Sequence, residues 1–139
     1  MEFLNEIRNH AFEGYDKRAI GSTRENIKKL IDDSDIVWNQ WIENGLAINE
    51  KFVIDFNFYS SDNEGVQIFT KILRKNNFGV EVKTKRMLIF FKGFVLKASI
   101  EDYWSLKKLN DAIELLGLFS RKYNLLIEGY GAFTKRNKD

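Results

Sequence analysis

Residues 51–60 read Lys51-Phe52-Val53-Ile54-Asp55-Phe56-Asn57-Phe58-Tyr59-Ser60. Phe52, Ile54, Phe56 and Phe58 alternate with Val53, Asp55, Asn57 and Tyr59. Successive side chains of an extended chain point to opposite faces. The period of two therefore predicts a strand with one buried aromatic face. Ser61 follows, with Glu64 three residues on, the spacing of a capping box. The helix it opens carries an apolar stripe of Val66, Phe69, Ile72 and Leu73. Asn76 and Asn77 end it, because asparagine tolerates left-handed backbone at a helix terminus.

Downstream, Phe78 to Thr84 predicts a second strand, with Phe78, Val80 and Val82 on one side. Met87 to Phe91 is a further apolar extended stretch. Lys92-Gly93 reads as a turn, and Phe94 to Ile100 as a strand with Phe94, Leu96 and Ala98 aligned. Glu101 and Asp102 are placed at the start of the last helix, where negative charge suits the macrodipole. The core stripe of that helix is Leu106, Leu109, Ile113, Leu116 and Phe119, then Tyr123. Leu125 to Tyr130 reads as the final strand. The order from Lys51 is strand, helix, strand, strand, helix, strand. Two strand–helix–strand units joined in this way predict an α+β fold, a ferredoxin-like βαββαβ sandwich. Its sheet is four-stranded and antiparallel, with both helices on one face.

The residues before Lys51 read helical. Phe3, Leu4, Ile7 and Ala11 recur at helical spacing up to Gly14. A second helix is expected from about Ser22 to Leu30, capped by Ser22 or Thr23 with Glu25 in place. Asp32, Asp33, Ser34 and Asp35 interrupt the stripe. A third short helix holds Ile36, Val37, Trp38, Trp41 and Ile42, with Gly45 placed to stop it. The division expected is a helical extension packed on the core over residues 1–50, the sandwich over 51–134, and a basic tail over 135–139.

Composition narrows the chemistry. The chain has 139 residues, 44% hydrophobic, with 12 Phe, enough for one core without staples. It has no cysteine, which excludes disulfides, thiolate metal sites and cysteine nucleophiles. It has no proline, so glycine and asparagine must punctuate the turns. The stretch MEFLNEIRNH lacks the apolar region of a signal peptide. No apolar run approaches the roughly 20 residues of a membrane span, so a cytoplasmic protein is expected. Basic and acidic residues number 22 and 20, for a net charge of +2. That balance alone does not imply nucleic-acid binding.

Nothing in the sequence assembles a catalytic centre. The single histidine, His10, lies in the first predicted helix and reads as a surface residue. Asp32, Asp33 and Asp35 lack the central glycine and distal Glu of a calcium loop. Gly129-x-Gly131 falls in a strand pattern and opens no helix, so it is no nucleotide fingerprint. Glu128 beside two glycines fits a bulged strand end better than an acid catalyst. No enzyme activity, cofactor or small-molecule substrate is expected.

Binding is the alternative to catalysis, and two surfaces offer it. The sheet face away from the helices is expected to carry Tyr59, with Val53, Asp55, Asn57, Gly79, Glu81 and Lys83. Trp104 sits off the main stripe of the last helix. Trp and Tyr are favoured anchors at protein interfaces; Trp104, Tyr59, Glu128 and Tyr130 are the candidate partner-binding residues. Packing of Trp104 on the N-terminal helices is the competing reading. The second surface is the basic stretch 83–97, which holds no acid. There Lys83, Lys85, Arg86 and Lys92, with Phe91, would suit RNA, aromatics stacking bases and lysines meeting phosphates. The RNA-recognition signature is absent, because Lys92-Gly93-Phe94 is followed by Val95-Leu96.

The order of motifs over residues 36–80 resembles the regulator of ribonuclease E activity B family. The shared features are an aromatic first strand, an acidic capped helix start and a Gly-(Tyr/Phe)-Glu-Val second strand, here within Phe78-Gly79-Val80-Glu81-Val82. Family members close on Tyr-Asp-Gly-Trp-Gly. The matching stretch is Ile127-Glu128-Gly129-Tyr130-Gly131, which keeps the acid, both glycines and one aromatic. The resemblance covers about residues 36–133. It implies a ferredoxin-like sandwich and, by analogy, inhibition of ribonuclease E through direct protein contact. The best-known members are strongly acidic, whereas this chain is slightly basic and ends Lys135-Arg136-Asn137-Lys138-Asp139. Either the partner differs or the contact is local and apolar. The expectation is thus a non-catalytic regulatory protein with a protein partner. RNA binding and an immunity-type, toxin-neutralising role stand as alternatives.

Overall fold

The computed structural model describes residues 17–88 and 91–133, the side chains of 17–22, 86–88 and 91–92 excepted. The helix expected over residues 3–14, His10 and the basic tail lie outside the described residues. In chain order the elements are α1 (Lys17–Asp32), α2 (Ser34–Glu43), β1 (Phe52–Ser60), α3 (Asn63–Lys75), β2 (Gly79–Leu88), β3 (Phe91–Asp102), α4 (Leu106–Arg121) and β4 (Leu126–Phe133). The strands form one sheet in the order β2-β3-β1-β4, and every neighbouring pair is antiparallel. The helices cover one face of it. The alternation of β1 decides which face. Phe52, Ile54, Phe56 and Phe58 are buried beneath the helices together with Leu96, Ala98 and Ile127. Phe69 of α3 meets Phe58 edge-on, with ring centroids 5.3 Å apart.

The α4 helix is buried on more than the stripe read from its sequence. Ala112, Leu115, Gly117, Leu118 and Ser120 are buried beside Leu109, Ile113, Leu116 and Phe119. Its second face is covered by α1, and Gly117 makes the approach possible. A Cβ there would lie 2.8 Å from Ile27 Cδ1. The α2 helix adds Trp38 and Trp41, which pack on Phe52 at 6.2 and 6.5 Å. Gly45 stops α2 region's chain with a left-handed φ of +95°, and Asn77 does so after α3 at +70°.

Four local readings are corrected. α1 already runs from Lys17, so Ser22 and Thr23 lie inside the helix and Thr23 faces the core. The cap of α3 is Asp62, whose carboxylate accepts from Gly65 N at 3.1 Å. Ser61 lies outside the helix, and the Ser60 hydroxyl accepts from Asp62 N. Lys92-Gly93 is no turn. It lies within β3, because β2 and β3 extend to Leu88 and Phe91. Glu101 and Asp102 end β3, and Ser105 caps α4 by accepting from Lys108 N.

Candidate partner-binding surface

The face of the sheet away from the helices is set by register. Tyr59 of β1 pairs with Val95 of β3, Asn57 with Lys97, and Asp55 with Ser99. Lys85, Lys83, Glu81 and Gly79 of β2 stand opposite Gly93, Val95, Lys97 and Ser99. On the other side, Asp55 pairs with Gly131 and Asn57 with Gly129. These alternating positions share one face.

That face is flat along its two outer strands and built up at two places. A Cβ at Gly129 or Gly131 would meet nothing within 4 Å, and Gly79 is nearly as open. Neither Gly129 nor Gly131 has a positive φ. No conformational or packing demand among the described residues requires glycine at those positions. Gly93 differs, since the Tyr59 ring lies across it and occupies the space of a side chain. Opposite, Lys97 Nζ stands 6.0 Å from the Phe133 ring centroid. Asp55, only 9% exposed, accepts from the Ser99 hydroxyl.

Asn57, Glu81, Lys83, Val95 and Lys97 enclose a shallow cavity of about 150 Å³. Its electrostatics are balanced. Glu81 receives Lys97 at 3.2 Å and Lys83 at 4.0 Å. The hydrogen bond from Lys97, then the charges of Lys97 and Lys83, hold the Glu81 carboxyl below its usual range. Exposed pairs of this kind contribute little stability but fix where charge sits. The basic stretch free of acids in sequence is thus answered across the strands by Glu81. Among the sequence candidates, only Lys83 and Lys85 are placed as exposed side chains on this face. Arg86 pairs with Lys92, and Leu88 with Phe91, near the hairpin end. The side chains of Arg86, Lys92 and Phe91 lie outside the described residues.

The four candidate interface residues do not share one surface. Tyr59 is half-buried on the open face. Glu128 is exposed at a bulge in β4, where Phe58 pairs with Ile127 but Asn57 pairs with Gly129. The extra residue sends both Ile127 and Tyr130 to the helix side, three positions apart. Tyr130 there meets Trp41 edge-on at 5.9 Å. Burial, then the nearby charges of Asp33 and Asp35, raise its hydroxyl pKa above the usual value. Trp104 is a core residue, 5% exposed, and not the surface anchor its off-stripe position suggested. Its indole N–H donates to Phe52 O at 3.1 Å and its ring packs on Phe56 at 6.1 Å. Among the described residues its contacts are with β1 and with Lys108, whose Nζ lies 5.5 Å from the ring centroid. Sequence reasoning missed the placing of Lys97 and Val95, which only the strand register brings beside Asn57 and Glu81, and of Phe133, which meets Lys97.

Among the described residues, no group of three or more His, Asp or Glu side chains could hold a metal ion. No helix among them is long and apolar enough to cross a membrane. A comparison with curated proteins found no match. The family model described as regulator of ribonuclease activity B matches residues 31–132. The matched span runs from the end of α1 into the last turns of the sheet, taking in α2, the bulged strand β4 and the whole open face up to Ala132. On that match the chain belongs to the regulator of ribonuclease activity B family.

Proposed function

We propose that this protein is a non-catalytic regulator that binds an endoribonuclease of the E type directly, through the open face of its sheet. The observation that carries the reading is the family match over residues 31–132. The geometry supports a protein partner on this face. Gly79, Gly129 and Gly131 leave the face flat along the outer strands β2 and β4, with no reason for glycine among the described residues, which suits close approach of another backbone. Tyr59, Val95 and Phe133 supply apolar contacts around it. The charges are mixed, with Glu81 answering Lys83 and Lys97, which favours a protein over the polyanionic backbone of RNA. The mechanism is steric or allosteric, with no bond-making step. In this reading residues 51–134 supply the binding sheet and residues 1–50 an extension packed on it. The strand order and antiparallel pairing support describing the sandwich as ferredoxin-like. A ribonuclease partner implies a cytoplasmic site of action.

The test uses the full chain and a purified ribonuclease of the E type. Isothermal titration is expected to show a complex, and RNA cleavage by the enzyme is expected to fall. Gly131→Leu is expected to fold, since a Cβ at the position meets no described residue within 4 Å. It should keep the wild-type circular dichroism and weaken binding about tenfold or more. The reading fails if no complex forms and RNA turnover is unchanged.

A further inference from the structure

The helix layer over β2 is incomplete. Val82, on the helix side of that strand, is still 39% exposed. Between α3 and the β2–β3 ribbon runs a groove of about 390 Å³. Val66, Val82 and Phe94 form its apolar floor, and Lys71 and Arg74 stand along the α3 side. The remaining lining side chains are amides and hydroxyls, and none is acidic. The groove therefore offers positive charge above an apolar floor, with no carboxylate among its described lining residues.

Two further observations point to an occupant. Thr70 lines the groove, is 8% exposed, and its hydroxyl is buried without a hydrogen-bond partner. A helical threonine ordinarily bonds back to a carbonyl of the preceding turn, and an orphaned buried hydroxyl is costly. In addition, among the described residues β2 is an edge strand that pairs only with β3. Edge strands present unpaired N–H and C=O groups to an incoming chain. The Arg74 guanidinium donates to Val80 O at 3.1 Å at one end of that strand, which leaves Val82 to Thr84 beyond it.

We propose that this groove binds an extended acidic segment of a protein partner. The segment pairs with the outer edge of β2, as in strand addition. It sets an apolar side chain on Val66, Val82 and Phe94 and a carboxylate against Lys71 and Arg74. Rotation about its Cα–Cβ bond lets the Thr70 hydroxyl, covered in the free chain, gain its missing partner from a polar group of the same segment. The groove lies on the helix side, away from the open face, so its occupation does not depend on the ribonuclease reading.

The probe is a short fluorescein-labelled peptide of alternating valine and glutamate, with the lysine-for-glutamate peptide as control. Polarisation with the full chain is expected to show saturable binding of the glutamate peptide only. Amide resonances of Thr70, Val82 and Thr84 are expected to move in nitrogen-edited NMR spectra. Lys71 and Arg74 are exposed, so Lys71→Glu with Arg74→Glu should stay folded, checked by thermal melting, and bind roughly tenfold more weakly. Equal binding of the two peptides, absence of binding, or shifts confined to the open face would overturn the proposal. So would concentration-dependent pairing of two copies through β2, seen by sedimentation.

Discussion

Glycines at positions 65 and 131 have opposite consequences. A Cβ at Gly65 would overlap the backbone carbonyl of Tyr123, which belongs to the turn after α4. Backbone cannot swing aside as a side-chain tip can. Gly65→Ala is therefore expected to lower stability by about 3 kcal/mol. Gly131→Ala, with open space above it, should change stability by less than about 1 kcal/mol and in the favourable direction, because glycine is costly in a strand. Urea unfolding of both variants measures the contrast. Thr70→Val is a second residue-scale case. It keeps the side-chain shape and removes the unpartnered hydroxyl, so the free protein should gain about 1 kcal/mol; a loss in the same urea assay would mean the hydroxyl is satisfied. At this scale the sequence was partly legible. The alternation at Phe52 to Tyr59 declared its own faces, and Glu128 beside Gly129 and Gly131 pointed to a bulge. The glycine at 65 was silent, because what crowds it arrives from a distant turn. Trp104 misled for a similar reason: its place off α4's stripe, just before that helix, says nothing about β1, where Phe52 and Phe56 hold it.

The α3 cap links separate elements. Asp62 accepts from Asn124 Nδ2 at 2.7 Å and from Gly65 N at 3.1 Å. The Ser60 hydroxyl donates to Asn124 O at 2.8 Å. The Asn124 hydrogen bond, then that from Gly65, hold the Asp62 carboxyl below its ordinary value of 3.8. A carboxylate whose folded pKa is depressed stabilises the fold above its unfolded pKa. That contribution fades as pH falls from the unfolded value, near 3.8, through the lower folded one. Asp62→Asn should accordingly be less stable than the wild type at neutral pH, with the gap closing in acid below that point. Urea midpoints measured along a pH series check this, and a gap independent of pH would remove the carboxylate's charge from the explanation. The element itself was readable from its stripe and its asparagine stop, but its first residue was misplaced by one. Ser61 and Glu64 had the spacing of a capping box, yet Asp62 is the stronger acceptor and has Asn124 facing it across the fold. The same blindness to partners made Lys92-Gly93 look like a turn. Gly93 is there beneath the Tyr59 ring, on a strand that does not bend.

The molecule as a whole has one core in its described residues. Ile27 of α1 and Trp38 of α2 belong to the same buried cluster as β1, α3, α4 and β4. The change from helical to strand pattern at Lys51 was plain in the sequence and suggested a seam there. The contacts that cross it were not, because Trp38 and Trp41 reach Phe52 and Tyr130 only once β1 and β4 are paired. Shared burial has a thermodynamic consequence. If α2 came away first, it would expose Phe52, which is 5% exposed in the folded chain, and the apolar faces of its own two tryptophans. Exposing apolar surface costs about 25 cal/mol per Å², so separate unfolding of the extension is disfavoured. The three tryptophans allow a direct measurement. Trp38 and Trp41 report on α2, whereas Trp104 reports on the β3–α4 corner against β1. In a Trp104→Phe variant, fluorescence comes from α2 alone, while far-ultraviolet circular dichroism follows every helix and strand. The two probes are expected to give coincident urea transitions, as a single cooperative unit requires. A fluorescence transition at lower urea would show that α2 unfolds on its own, and the seam at Lys51 would then divide two units after all.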